Sequence, residues 1–255
     1  MRKKEGIKKE WDDAAESWLD FVRRGNDYYR DELNNPATFQ LIGDVRGRRV
    51  LDLACGEEYN TRILTRKGAK VIGVDFSEKM IKLAKQEEVK EKLAIDYQVV
   101  DATDLKKFLS SYFDLVTCFM SLQDITDYKR AISEVARVLR DRGRFVFSIP
   151  HPCFEAIVVK GKRVSAERRY FGEIEYPIQW EMERLTKPFK TTSFHRTLTE
   201  YSGALRRSEL FVSRIVEPKP TQEGLLKHPS FREVLMIPQS IIMESTKIIG
   251  KQSHS

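Results

Sequence analysis

The chain has 255 residues, 41% hydrophobic and 10% aromatic, enough to bury one large α/β core and too apolar for intrinsic disorder. Its 13 Gly and 9 Pro follow no period, which excludes collagen-like or low-complexity character. Forty-five basic against 38 acidic residues leave a net charge of +7: either a heavily solvated surface, because acids are interleaved nearly everywhere beyond the basic start Met1–Lys9, or attraction to an anionic partner such as nucleic acid.

Residues 7–34 carry Trp11, Ala14, Ala15, Trp18, Leu19, Phe21 and Val22 at helical spacing. Asn35-Pro36 is a turn or a helix start, and 37–43 a further short helix. From there strands and helices alternate. Strands are predicted at 49–53, 70–75, 95–100, 113–119 and 145–149. Helices are predicted over 58–67, from an N-cap at Ser77 to about Glu88, and over 127–140, stopping near Gly143. That rhythm implies a parallel, doubly wound sheet, which binds ligands outside the carboxyl ends of its strands. Residues 151–195 break it. They are rich in charge and in aromatics, among them Tyr170, Tyr176, Trp180, Phe189 and Phe194, and read as a β-rich cap over the ligand edge. A helix over 196–207, strands at 210–216 and 241–249, a rigid Pro218-Lys219-Pro220 link and a frayed tail from Gly250 complete the chain. Three cysteines, Cys55, Cys118 and Cys153, form no CxxC pair, so neither a disulfide framework nor a metal site is expected. No signal-like segment and no run of ~18 apolar residues is present. The expectation is a cytoplasmic protein without a membrane partner.

Three features close successive strands. Val50-Leu51-Asp52-Leu53-Ala54-Cys55-Gly56 leads into a corner of small residues, where a ligand can approach the backbone and the following helix presents free N–H groups. Asp75 ends the second strand and can accept two hydrogen bonds from a ribose diol. Asp101-Ala102 ends the third, where a carboxylate can accept from a base amine. Each alone is weak, since an Asp or Gly at a strand end is often only a turn former, and Gly73 reads as room for helix packing. Together they point to an adenosine-bearing ligand. The G-x-G-x-x-G loop of dinucleotide enzymes is absent, with Ala54 and Glu58 in its place, as is any P-loop.

This set resembles the class I S-adenosylmethionine-dependent methyltransferases over about residues 45–150. The resemblance is carried by Leu51-Asp52-Leu53-Ala54-Cys55-Gly56-Glu57-Glu58-Tyr59-Asn60, by Asp75-Phe76-Ser77-Glu78-Lys79-Met80, by Asp101-Ala102, by Phe113-Asp114-Leu115-Val116 running into Phe119-Met120-Ser121-Leu122, and by Gly143-Arg144-Phe145-Val146-Phe147. It implies a Rossmann-like seven-stranded sheet with an inserted β-rich cap. The segments would be an N-terminal helical 1–44, a donor-binding core 45–150, a substrate cap 151–195 and a C-terminal completion 196–250. It implies S-adenosylmethionine as cofactor. Ala54, Cys55, Gly56 and Tyr59 would face its methionine and sugar, with Asp52 orienting the loop. Asp75 would hold the ribose, Phe76 and Met80 the adenine, and Asp101 with Ala102 its amine edge. Phe119 and Met120 would border the sulfonium. Trp18, Tyr29 and Arg30 would close over it, or else merely pack on the sheet edge. This chain departs from the family pattern at two positions, with Ala54 where the family usually has Gly and Glu58 where it often has Gly.

Acceptor signals are sparser. His151, His195 and Tyr201 sit where the cap joins the sheet. A histidine there could take a proton from an acceptor hydroxyl, or simply bond backbone at a Pro-flanked turn. Arg196 could pair with a substrate anion or form a structural salt bridge; Trp180 could stack on substrate or on its own cap core. No D/N-P-P-aromatic run follows the fourth strand, which favours a small-molecule methyl acceptor. An RNA methyltransferase and a non-catalytic adenosine-ligand module stay open; the oligomeric state is not readable.

Overall fold

A computed structural model describes residues 4–159, 162–165 and 169–248. The first three residues of the basic start and the expected frayed tail lie outside them. Helix α1 (Lys4–Arg23) buries Ile7, Ala14, Ala15, Leu19, Phe21 and Val22 on one side. It ends where Gly25 N–H donates to the Val22 carbonyl and Asn26 N–H to the Phe21 carbonyl, with Gly25 at φ 68°, a left-handed turn that glycine takes freely. The helix expected over 7–34 is therefore interrupted. It resumes as a π-helical turn (Arg30–Asn34) running into α2 (Asn35–Ile42), where Pro36 occupies the first turn and, lacking an N–H, donates no backbone bond into the π-helical turn before it.

Strands β1 (Arg49–Leu53), β2 (Lys70–Asp75), β3 (Asp96–Val99), β4 (Phe113–Phe119) and β5 (Leu139–Pro150) alternate with α3 (Tyr59–Arg66), α4 (Glu78–Lys90) and α5 (Tyr128–Val138). Ser77 caps α4, its hydroxyl accepting from Met80 N–H at 3.1 Å. α5 stops at Val138, short of the expected 140, because Leu139 already pairs with Phe113 in the sheet and is fully buried. After α6 (Leu198–Arg207), β10 (Leu210–Val216), α7 (Gln222–Lys227) and β11 (Ser240–Lys247) finish the chain; α7 and the 3-10 segment Pro229–Leu235 were not expected from the sequence.

The seven-stranded sheet has the order β10-β11-β5-β4-β1-β2-β3. β1 to β5 are mutually parallel, while β11 and β10 are antiparallel. Alternate residues feed two cores, as the period of two requires. Leu51, Leu53, Val116, Phe145, Phe147 and Ile241 join Tyr128, Ile132, Val135 and Leu205 on one face. Val50, Leu115, Val146 and Ile242 join Leu41, Ile42 and Leu64 on the other. A Cβ at Gly73 would meet the Tyr97 ring at 2.9 Å and Cys55 Sγ at 3.2 Å. The glycine makes room for a neighbouring strand's aromatic and the corner cysteine, not for a helix.

Between β5 and α6 lie two hairpins, β6 (Ala156–Val159) with β7 (Lys162–Ser165), and β8 (Ile174–Trp180) with β9 (Phe189–His195). β9 packs on α1. Strand order reverses between β1 and β4, and the carboxyl ends there open under the second hairpin.

Candidate functional site

A cavity of about 1020 Å³ occupies that opening, reached by α1, the 26–35 segment, the tips of β1 to β5, the second hairpin and the 227–228 corner. Its floor is the corner after β1. Ala54 has φ 54°, Gly56 φ 59° and Glu58 φ 107°. A Cβ on Gly56 would meet nothing within 4 Å, so the corner is open. Glu58 does not fill it: its carboxylate turns back to Arg62 at 3.0 Å, and it is Glu57 that lines the cavity.

Asp52 accepts from the hydroxyls of Thr61 at 2.6 Å and Thr117 at 2.8 Å, which couples the floor to α3 and β4. Asp75 accepts from Gly56 N–H at 3.0 Å and Ser77 N–H at 2.8 Å. The two bonds use one lone pair on each oxygen and leave the other pair on each for a diol. Burial pushes Asp52 and Asp75 up to about 6, against the bonds that favour their charged forms. Asp101 accepts from Thr103 N–H and from its hydroxyl, both at 2.8 Å, and from Lys4 Nζ at 2.5 Å. Burial raises its carboxyl, but the Lys4 and Thr103 bonds prevail and hold it below the usual range. The donor set therefore fits an adenosine-bearing ligand: an open small-residue corner, a carboxylate with two spare acceptors and apolar flanks at Phe76, Met80 and Val100.

α1 lies over this end on polar contacts. Asp12 accepts from the Ser77 hydroxyl at 2.6 Å, Trp18 Nε1 donates to Glu57 at 3.1 Å, and Ser17 donates to the Lys187 carbonyl at 2.6 Å. Arg30 stands 3.6 Å over the Tyr59 ring and 3.5 Å from Glu57. Asp52, Ala54, Cys55, Gly56, Tyr59, Asp75, Phe76, Met80, Asp101, Ala102, Phe119, Met120, Trp18 and Tyr29 all line the one cavity.

Toward the second hairpin and the turn after β4, Phe119, Ile125, Ile178, Trp180 and Met182 give the cavity an apolar lining. Trp180 meets Trp18 edge-on at 5.4 Å and donates to the Thr191 hydroxyl at 2.8 Å, so this candidate substrate residue does face the cavity. Four others do not. His151 is buried, with Nε2 3.0 Å from Glu217 and Nδ1 accepting from Cys153 N–H. His195 is sealed between Glu155 and the Tyr170 carbonyl. Tyr201 lies in the core against Tyr128 and Phe147. Arg196 donates to the carbonyls of Leu122, Ile125 and Thr126 at 3.4, 2.9 and 3.2 Å, and its charge meets Glu173. The two histidines and Arg196 are engaged within the fold and Tyr201 packs in the core, so none of the four is among the residues lining the cavity. In their place the structure brings residues that sequence reasoning missed: Asn26, Asp27, Glu57, Gln123, Asp124, Arg184 and His228.

Residues 51–147 match the family model of the methyltransferase domain. The chain is 31% identical over 213 residues to a demethylmenaquinone methyltransferase of Clavibacter sepedonicus, covering 74% of this chain and 84% of that protein. It is 34% identical over 127 residues to a ubiquinone biosynthesis O-methyltransferase of Coxiella burnetii, where the match spans 49% of this chain and 54% of the relative. An S-adenosylmethionine-dependent methyltransferase from Mesorhizobium loti superposes with a TM-score of 0.67 at 27% identity, covering 83% of this chain and 96% of that one. No helix among the described residues is long and apolar enough to cross a membrane. With this cavity at the switch in strand order, the chain belongs to the class I S-adenosylmethionine-dependent methyltransferases and takes S-adenosylmethionine as its methyl donor.

Proposed function

We propose that the chain methylates a small-molecule acceptor held between the 121–126 turn and the second hairpin. The observation that carries this is the continuity of one cavity, with carboxylates at the β1–β3 tips and Ile178, Trp180 and Met182 from the second hairpin region in the same lining. The Clavibacter relative is named for demethylmenaquinone and the Coxiella relative for ubiquinone biosynthesis, which supports a small-molecule acceptor.

When bound, S-adenosylmethionine supplies a methyl group on a sulfonium, whose sulfur leaves neutral. The chain's own work is then alignment and exclusion of water. Asp75 accepts from the ribose hydroxyls, and Asp101 with Ala102 meets the adenine edge between Phe76 and Met80. Ala54, Cys55, Gly56 and Tyr59 border the sugar and methionine, and Asp52 holds that corner to α3 and β4. Phe119 and Met120 border the reacting end, while Trp18 and Tyr29 cover it from the N-terminal side. Trp180 presents a flat apolar face to the acceptor.

The test is transfer of tritium from methyl-labelled donor to a panel of phenols and to bulk tRNA. Label on a phenol supports the reading. Label on tRNA alone, in binding that weakens steeply with salt, overturns it in favour of an RNA acceptor. Binding of S-adenosylhomocysteine without transfer to either, even with cell extract added, would leave a non-catalytic module.

A further inference from the structure

Among the carboxylates lining the cavity, one stands apart. Asp52 holds two threonine hydroxyls, Asp75 two backbone N–H groups, and Asp101 a lysine and a threonine. Glu57 is met by Trp18 and Arg30, and Asp27 by the Arg30 N–H. Asp124 is half-buried and lines the cavity; its Oδ1 makes no well-formed hydrogen bond, and the Ser193 hydroxyl beside it is likewise without one. It closes the 3-10 turn Leu122–Asp124 just past the β4 tip, packed against β9 and β5, and shares the cavity lining with Phe119, Met120, Ile178 and Trp180. Beside it, Gln123 spends its amide N–H on the Met120 carbonyl at 2.6 Å, and its own Oε1 is likewise sealed without a partner. The other acids named above are engaged by the fold, so among them Asp124 is the least committed.

A carboxylate in such a place favours its neutral form. Burial pushes Asp124 up to about 7. The Ser193 hydroxyl on β9 and the Arg196 guanidinium pull the other way, and Glu10 on α1 and Glu155 before β6 add to the rise. A base is most effective when its affinity for protons lies near the working pH. Among the described residues the one histidine lining the cavity is His228, at its 227–228 corner with its ring against Tyr28 and Phe231.

We propose that Asp124 is the catalytic residue that takes the acceptor's proton, which makes the acceptor a small molecule with a phenol-like O–H or an N–H on a flat apolar body. This rests on the small-molecule reading above. The X–H bond gives its proton to the Asp124 carboxylate and its electron pair to the new X–CH3 bond, while the pair of the S–CH3 bond stays on sulfur. Arg196 is a positioning residue: its three carbonyl contacts hold the turn that carries Asp124.

The probes are S-adenosylhomocysteine, catechol and bulk tRNA. Asp124→Asn should bind S-adenosylhomocysteine within about twofold of the parent by calorimetry, because Asp124 touches none of the donor-end groups. Its kcat for tritiated methyl transfer to catechol should fall about 100-fold or more with KM within about threefold, and the rise in rate between about pH 6 and 8 should disappear. Asp124→Ala should recover about tenfold with added formate, a rescue that a merely structural role would not show. Transfer by Asp124→Asn within about threefold of the parent, with an unchanged pH profile, overturns the assignment. So does a parent protein that binds S-adenosylhomocysteine but no catechol. Label on tRNA and none on catechol overturns the small-molecule reading itself, and the assignment with it. An Asp124→Asn protein that cannot bind S-adenosylhomocysteine overturns the claim that Asp124 acts apart from the donor.

Discussion

The two ends of the cavity use buried carboxylates in opposite ways. At the donor end Asp52 and Asp75 are each held by two hydrogen bonds from the fold, so their positions are set before any ligand enters. At the acceptor end Asp124 and Gln123 each keep an oxygen without a well-formed hydrogen bond in the described chain. A satisfied group binds by geometry, whereas an unsatisfied one is held ready to change its protonation or to receive a donor from the ligand. The contrast assigns binding to the first end and proton handling to the second.

The largest expected effect that would break this division is at Asp75. Asp75→Ala removes the acceptor of two ribose hydroxyls, at ~1.5–3 kcal/mol per charge-assisted bond, and should weaken S-adenosylhomocysteine at least about 100-fold by calorimetry; a loss under tenfold would show that the donor end is not built around this acid.

Next is Arg196→Met, which leaves three carbonyls and Glu173 without their buried partner. We expect a loss of ~2–4 kcal/mol in denaturant unfolding and about tenfold lower catechol turnover, with S-adenosylhomocysteine affinity within about threefold. An equal loss at both ends would merge them into one unit.

The pH response sharpens the contrast further. Asp52 and Asp75, raised to about 6 in the folded chain, hold protons between about pH 4 and 6 that the unfolded chain has released. Their contribution to stability is therefore present below that window and is lost as pH rises through it. Affinity for S-adenosylhomocysteine should run the other way, rising about tenfold from pH 5 to 6 and levelling above 7, since the ionised forms are the better acceptors. Calorimetry and thermal unfolding over the same buffers give both slopes.

The smallest effect belongs to Lys4→Ala. The Lys4–Asp101 pair is half exposed, so its removal should shift S-adenosylhomocysteine affinity by less than about threefold, and by nothing measurable at about 0.5 M salt.

The donor end was legible in the sequence because it is local. Asp52 stands one residue before the end of β1, Asp75 ends β2 and Asp101 lies two residues past β3, so all three fall at strand tips that the chain pattern itself marks. Ser77 as N-cap was readable for the same reason. The acceptor end was not, because it is assembled across long separations. Asp124 is buried by the second hairpin and fastened through Arg196, 74 residues away from Leu122 along the chain. Nothing beside Gln123-Asp124 in sequence shows that two oxygens there stay unmatched. His151, His195, Tyr201 and Arg196 misled because they mark where the insertion leaves and rejoins the sheet. Such crossings demand polar side chains of their own: the backbone departs from regular pairing there, and its carbonyls and N–H groups must be met.

The corner after β1 has one more consequence. Three of its five residues, Ala54, Gly56 and Glu58, are left-handed, and two of those are not glycine, a backbone choice worth ~1–3 kcal/mol of strain at each side-chain-bearing position. That strain is met once, as the chain folds, and not at each catalytic cycle, so the loop greets every incoming nucleoside already shaped. Glycine at position 54 or 58 would ease the backbone and give the empty loop more shapes to lose on binding, which sets thermal tolerance and tight capture in opposition within a single turn.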